Sequence, residues 1–561
     1  MKLTIMSFLF ALLPLLVSAD TVEINGIYYN LISKGNVAEV VKNPQNGYKG
    51  NIVIPDVLEY EGTIYNVTKI GDWAFSYCTE LTSVSIPKSV ISIGDNAFQD
   101  NYNLTSVHIK DLASWCMISF GKENKNDYYS NPLIRAHHLF LNGEEIKDLV
   151  IPDNVTSINN GAFCGGSFIS VTFPNSVTSI GKEAFKNCTT LTSVHIIDLE
   201  AWCTIKFGDN DSNPLAYAHH LYLNGEEIKN LIIPNSISEI KDYTFSGCSA
   251  LTSVAISNNA TSIGDYSFSD CSNINTVNIP NGVTSIGYDA FRNCTELKSL
   301  SLPNSLISLS GFNGCTGLTT LSIPNSVKNI SGFNNCTKLT SIIIPNSVNY
   351  VFNAFYGCTA LTSIKLLGDD FCVTDKAFGN CPNLSDIYSY GENTIPDPDA
   401  YGIYGREPGI YISRYAFDGS YIEYATLHVP ESSINIYKNT APWSEFGKFV
   451  ALSNEGTETQ KCATPSISIE NGKIKFQCDT EGAEFISNIS TTDTKDYYDA
   501  ELTLSYKYKV TVYATKEGYE NSDTATVEFT ATGKFGDMNH DNKITVADAV
   551  IIIDMVMKNE E

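Results

Sequence analysis

Near the C-terminal end, Asp537, Asn539 and Asp541 alternate with Met538 and His540, and Asp548 follows. That spacing sets side-chain oxygens at positions 1, 3, 5 and 12 of one loop, with the Lys543 carbonyl at position 7 and Thr545 at 9. A single loop wraps a hard cation in this way, and Ca2+ is the ion it suits. Asn542 stands at position 6, where glycine is usual, and Asn tolerates the left-handed backbone the turn requires. Ile544 then points into a core, and Val546 to Met557 continues as an amphipathic helix.

Two His-His pairs, His137-His138 and His219-His220, also invite a metal reading. Neighbouring residues on a strand face opposite ways, so the two rings of one pair cannot readily share an ion. No Cys, Asp or Glu stands nearby at a finger or zincin spacing. One His of each pair is expected to be structural and the other exposed. The fifteen Cys are more regular: Cys248, Cys271, Cys294, Cys315, Cys336, Cys358 and Cys381 recur every 21 to 23 residues. Equivalent side chains of stacked coils point in parallel, which predicts a ladder of buried thiols. Cys462 and Cys478 lie outside that row and are the best disulfide candidates. No GxSxG, HExxH, phosphate-binding glycine loop or isolated carboxylate pair is present, so the reading is non-catalytic.

The elements that carry these residues follow from one repeat, seen in Ile279 to Pro303 as IPNGVTSIGYDAFRNCTELKSLSLP. A period of 20 to 29 residues with fixed Leu and Ile positions predicts a leucine-rich solenoid in which each coil buries its apolar side against the next. Leu300 and Leu302 alternate with Ser299 and Ser301, the signature of a strand with one buried face, and Pro303 ends it. Phe marks from Phe75 to Phe417 give about a dozen coils. Outward strand positions are mostly small: Ser83, Ser85, Ser253, Ala255, Thr276, Asn278, Ser299, Ser301, Thr320 and Ser322. That face is open to two readings, a surface that receives a partner or a solvated sheet without anchors. Two copied insertions, 108–150 and 195–232, each carry a short Asp-Leu-x-x-Trp-Cys helix, Asn-Pro-Leu, the His pair and an Asn-Gly hairpin.

The 561-residue chain has 36 Lys+Arg against 62 Asp+Glu, a net charge of −26, which argues against nucleic acid or an anionic membrane face. Residues 1–19 read as a signal peptide, with Lys2 ahead of an apolar run and Val17-Ser18-Ala19 at the cleavage site. No segment is long and apolar enough for a transmembrane helix, so a secreted or extracellular protein is expected, with cell-surface association left open. Residues 20–50 form an N-terminal β-hairpin cap, with strands over Val22 to Ile32 and Val37 to Val41. The solenoid with its C-terminal cap fills 51–453, and 454–461 is a linker. Residues 462–532 hold short strands at β-sandwich spacing. Tyr497, Tyr498, Tyr506 and Tyr508 are the only features there that favour a carbohydrate ligand.

The repeat IPxSVxxIGxxAFxxCxxLTSVxI, as in Phe173 to Ile196 and Ile344 to Leu366, resembles the BspA-type leucine-rich repeats of bacterial surface proteins. That resemblance implies a mainly β leucine-rich repeat solenoid, extracellular, in a family of which several members adhere to host matrix proteins or to other cells. Gly536 to Met557 resembles a dockerin calcium loop and helix, which implies Asp537, Asn539, Asp541, Lys543 and Asp548 as Ca2+ ligands in a 536–561 half unit, with a cohesin-like partner. The 462–532 module resembles the immunoglobulin-like β-sandwich modules of exported carbohydrate-active enzymes. Together these imply a non-catalytic adhesion protein whose ligand is a protein or glycan on a host or neighbouring cell surface. The alternative is a carbohydrate-binding or scaffold-attached component of an extracellular glycan-degrading system.

Overall fold

The structure, a computed structural model, describes residues 21–532 apart from 46, 122–129, 393, 397–408, 453–461, 471–472, 481–482, 494–504 and 517–521. The segments expected to be leader, linker and calcium loop lie outside the described residues. The chain divides into two compact units, up to Glu226 and from Glu227 onward.

In both units a typical coil contributes one strand of three or four residues to a first parallel sheet and a two-residue strand to a second. Ser170–Phe173, for instance, pairs in parallel register with Ser193–Ile196, while Ser179–Ile180 pairs with Ser157–Ile158. The apolar side chains of both sheets face the space between them: Val171, Val194, Ile158 and Ile180 are at most 2% exposed.

A phenylalanine row fills the turn side. In the second unit, Phe245, Phe268, Phe291, Phe312, Phe333, Phe355, Phe378 and Phe417 stack in sequence with ring centroids 5.2–5.7 Å apart. In the first, Phe75 stacks on Phe98 at 4.9 Å and Phe163 on Phe185 at 5.4 Å. Offset parallel rings at this spacing add to the area each Phe buries, itself worth about 1.5–3 kcal/mol.

Beside this row runs the cysteine ladder, and its geometry explains the residue type. The thiols of Cys271, Cys294, Cys315, Cys336, Cys358 and Cys381 each donate to the carbonyl of the Phe one coil back, at 3.2–3.5 Å. The same carbonyl accepts the N–H of the Cys in its own coil, as Phe268 does from Cys271 at 3.3 Å. Both lone pairs of a buried oxygen are thereby met by a side chain small and apolar enough for the slot. None of the fifteen cysteines is joined in a disulfide. That includes Cys462 and Cys478, against the disulfide expected: the Cys478 thiol donates instead to the Ala463 carbonyl at 3.0 Å.

The turn on either side of most of these Phe residues requires left-handed backbone, at the second residue before and the second after. Asp289 (φ 51°) and Asn293 (φ 57°) flank Phe291 in this way. Where a coil is shorter, glycine is required: Gly311 has φ 99°, and a Cβ there would lie 2.7 Å from the Gly287 carbonyl.

Each insertion in the first unit plugs into the coil stack. Helix α1 (Leu112–Cys116) is capped by Asp111, whose carboxylate accepts from the Ser114 N–H, and it buries Leu112 and Trp115. The Trp115 indole donates to the Ala162 carbonyl at 2.9 Å, and Asn131 donates to Gly161 while accepting from the Leu133 N–H. Helix α2 (Leu133–Ala136) follows. The strand after it, Leu139–Leu141, turns back through Asn142 (φ 53°) and Gly143 (φ 93°). Two successive left-handed residues make the type I′ turn that Asn-Gly favours. The second insertion repeats this with α3 (Leu199–Thr204), α4 (Leu215–Ala218) and Asn224-Gly225.

At the N-terminal end, three strands rather than two precede the coils: Thr21–Ile24, Ile27–Ile32 and Val37–Val40. The run from Val22 to Ile32 is cut by a further tight turn at Asn25 (φ 52°) and Gly26 (φ 82°). After the last Phe, helix α5 (Ile434–Lys438) and the strand Lys448–Ala451 close the second unit's coils. Tyr437 and Trp443 are fully buried there, and the Trp443 indole donates to Thr394 Oγ1 at 2.8 Å. Beyond it, Ser466–Glu470 and Lys473–Gln477 form a hairpin, and Glu484–Asp493, Ser505–Thr515 and Ala525–Thr532 an antiparallel three-stranded sheet.

Candidate ligand-binding face

The outward positions of the longer strands form rows that run across the coils, and register shows what those rows hold. In the second unit one row reads Ile343, Lys365, Tyr388, His428, Val450, each paired with the next. The row beside it reads Ser341, Ser363, Asp386, Thr426, Lys448. Nearer the unit's start the same rows carry Asn230, Ser253 and Thr276, and Ile232, Ala255 and Asn278. Every ionisable outward side chain on these strands therefore falls within the last four coils.

These residues are organised. The rings of Tyr388 and His428 stack at 4.2 Å and 9°, with the Lys365 ammonium 5.6 Å from the Tyr388 centroid. His428 Nε2 lies 3.0 Å from Asp386 Oδ1, and the Ser385 hydroxyl donates to Oδ2 at 2.8 Å. Partial burial raises the Asp386 pKa, but the hydrogen bonds from His428 and Ser385, with Lys448 nearby, outweigh it and hold the carboxyl below its usual range. With Asp386 ionised and occupied, the two lysines leave the cluster cationic on a chain of net charge −26.

The first unit has two simpler versions. His108 stacks on Phe140 at 4.7 Å with its Nε2 held by the Ser106 hydroxyl at 2.9 Å. His195 stacks on Tyr222 at 4.9 Å, held in the same way by Ser193. The face thus has the aromatic anchors that its small residues, read along the chain, lacked. The signal was present: Ser-Val-His-Ile occurs at 106–109 and again at 193–196, with the His on the outward position of the strand.

Of the small outward residues, Leu300 and Leu302 are buried and Ser299 is exposed, as their alternation predicts. The ladder there shrinks to a single bridge between Asn278 and Ser301. The C-terminal sheet reaches this spot: Asn278 and Ser301 line a small cleft together with Ser487, Thr511 and Tyr513. Burial pushes the Tyr513 phenol up, against a hydrogen bond with Ser301 that lowers it. Ser301 is therefore engaged within the chain.

The His pairs do not lie on strands as pairs. His137 ends α2 in left-handed conformation (φ 60°) and its Nδ1 contacts the Gly165 carbonyl at 2.8 Å; His138 Nδ1 pairs with Glu145 at 2.6 Å. His219 ends α4 likewise. Among the described residues no three His, Cys, Asp or Glu side chains converge as a metal site would require. Asp537, Asn539, Asp541, Lys543 and Asp548 lie outside the described residues. No helix among the described residues is long and apolar enough to cross a membrane.

Parallel coils of about 22 residues, a buried Leu/Ile/Phe core and paired parallel sheets define a leucine-rich-repeat solenoid. The chain belongs to the BspA-type leucine-rich repeat family: the profile of the "BspA type Leucine rich repeat region", in six copies, matches residues 62–125, 136–204, 218–332 and 307–401, more than half of its length. No curated protein matches the sequence. Among solved structures the chain is similar to a leucine rich cell surface protein from Faecalibacterium prausnitzii, at 24% identity over 62% of this chain and 94% of that one, TM-score 0.37. A leucine-rich repeat protein from Bacteroides ovatus matches at 23% identity over 77% and 100%, TM-score 0.41. The pneumococcal vaccine antigen PcpA matches at 15% identity over 78% and 99%, TM-score 0.37.

Proposed function

We propose that this is a non-catalytic, secreted or surface-displayed protein that binds a partner protein through the outward strand face, in adhesion to host matrix or to another cell. The Lys365–Tyr388–His428 stack carries the reading: an aromatic pair braced by the His428–Asp386 hydrogen bond and flanked by two lysines is the kind of preordered anchor that dominates protein interfaces. Its charge selects an acidic patch on the partner. The test is binding of the full chain to immobilised host matrix proteins, with a glycan array in parallel. Matrix binding that is lost in the Tyr388→Ala/His428→Ala double variant supports the proposal, whereas binding to glycans alone overturns it.

The tail is proposed to hold one Ca2+ through Asp537, Asn539, Asp541, the Lys543 carbonyl and Asp548, on the strength of their spacing, and to dock a cohesin-like partner. Calorimetry of the full chain against its Asp537→Ala/Asp541→Ala variant should show calcium heat in the first and none in the second. No heat from the parent chain at millimolar calcium removes the assignment.

A further inference from the structure

The left-handed turn positions carry a pattern that packing does not explain. In most coils they hold Asn, Asp or Gly, the residues that adopt positive φ at least cost. Trp73, Tyr77, Glu183 and Lys376 depart from that rule elsewhere, but only Tyr243 (φ 63°) and Tyr266 (φ 54°) place aromatic rings at the same turn position of two successive coils. A bulky ring at such a position is strained, and strain that persists without burial points to function. Neither residue is buried.

The two rings stack at 5.3 Å and 3°, and Tyr288 in the next coil meets Tyr266 at 5.6 Å and 72°. Tyr288, turned out of the stack, is 58% exposed. The result is one exposed ring braced by two others. Beside the rings stand carboxylates, Asp242 and Asp265, each with one oxygen accepting a backbone N–H of the following coil, at 2.8 and 2.7 Å.

We propose that this tyrosine strip is a binding site for a neutral glycan, separate from the protein-binding face. Three observations select that ligand. The exposed ring can take the C–H face of a sugar, which is flat and weakly polar. The carboxylates can accept its hydroxyl protons through the oxygen the backbone leaves open, and with Asp289 they outnumber the cation beside Tyr266, Arg292, which pairs with Asp289 at 3.8 Å, so the strip disfavours anionic ligands. The centre of a protein–protein interface, by contrast, is depleted of Asp.

Affinity gel electrophoresis of the full chain tests this with hydroxyethylcellulose, xylan, laminarin and galactomannan as neutral probes and carboxymethylcellulose as the charged counterpart. At least one neutral probe should retard the parent chain, and carboxymethylcellulose should retard it less than hydroxyethylcellulose does. Tyr288→Ala should weaken retardation about tenfold. Tyr266→Asn separates a binding role from a structural one, because Asn suits the left-handed position: its melting temperature should hold or rise while retardation falls. Absence of retardation by every neutral probe, stronger retardation by the charged polymer, or a Tyr266→Asn variant that melts earlier yet binds unchanged each overturns the site. None of these outcomes touches the strand face, whose anchor at Tyr388 and His428 is left intact in both variants.

Discussion

A single thiol in this protein does two jobs that are usually separate. Cys315 fills a slot between coils and donates a hydrogen bond to the Phe291 carbonyl at 3.2 Å. Burial pushes its pKa up to about 12, as it does for Cys381, so these thiols are poor nucleophiles. Two predictions belong here. Titration of the unreduced chain with a thiol reagent should find all fifteen groups in denaturant and very few without it; a large deficit in denaturant would mean disulfides. Phe312, stacked on both sides and fully buried, should cost about 3–5 kcal/mol on replacement by Ala, read as a fall in the urea midpoint.

At the scale of elements, the insertions behave as plugs whose fixings are hydrogen bonds to the coil core. Removing the Asp111 cap by Asp111→Ala should cost about 1 kcal/mol, and Asp198→Ala a similar amount, since each carboxylate satisfies N–H groups at the start of its helix. Thermal melts of the two variants check this. These helices, the Asn-Gly hairpins and the buried Phe and Cys rows were legible in the sequence because each rests on short-range pattern: a capping residue, a turn dipeptide, a fixed period. The Asn25-Gly26 turn was equally local, but an apolar-polar alternation running through it masked the break. The Tyr388–His428 stack was not legible in that way. Its members lie 40 residues apart, and only parallel register across the coils makes them neighbours. The engagement of Ser301 by Tyr513 is more distant still, joining two segments whose patterns have nothing in common.

For the whole molecule, the thiol ladder ties stability to pH. Folded thiols with raised pKa values leave the unfolded chain to lose protons first, near the ordinary value of 9.0. Their contribution is complete below about pH 9 and disappears as pH climbs through about 12. The urea midpoint should therefore be level from pH 7 to 8 and fall steeply above 9, and a Cys294→Ala/Cys315→Ala variant should show a shallower fall. An identical slope in both chains would count against buried thiols as the cause.

The stack of rings and thiols also dictates how such a chain gives way under load. Tension applied through the end of a unit pulls on the last coil, which is held to its neighbour by two short parallel ladders, one ring contact and one thiol. Those fastenings are loaded together but separately from the next set, so the chain peels like a zip, one tooth at a time. Each coil released frees about 22 residues, roughly 70–80 Å of slack. A tether built this way yields in even steps at nearly constant force and re-engages when the pull relaxes, so a bond made at its surface is spared the peak of a sudden shear.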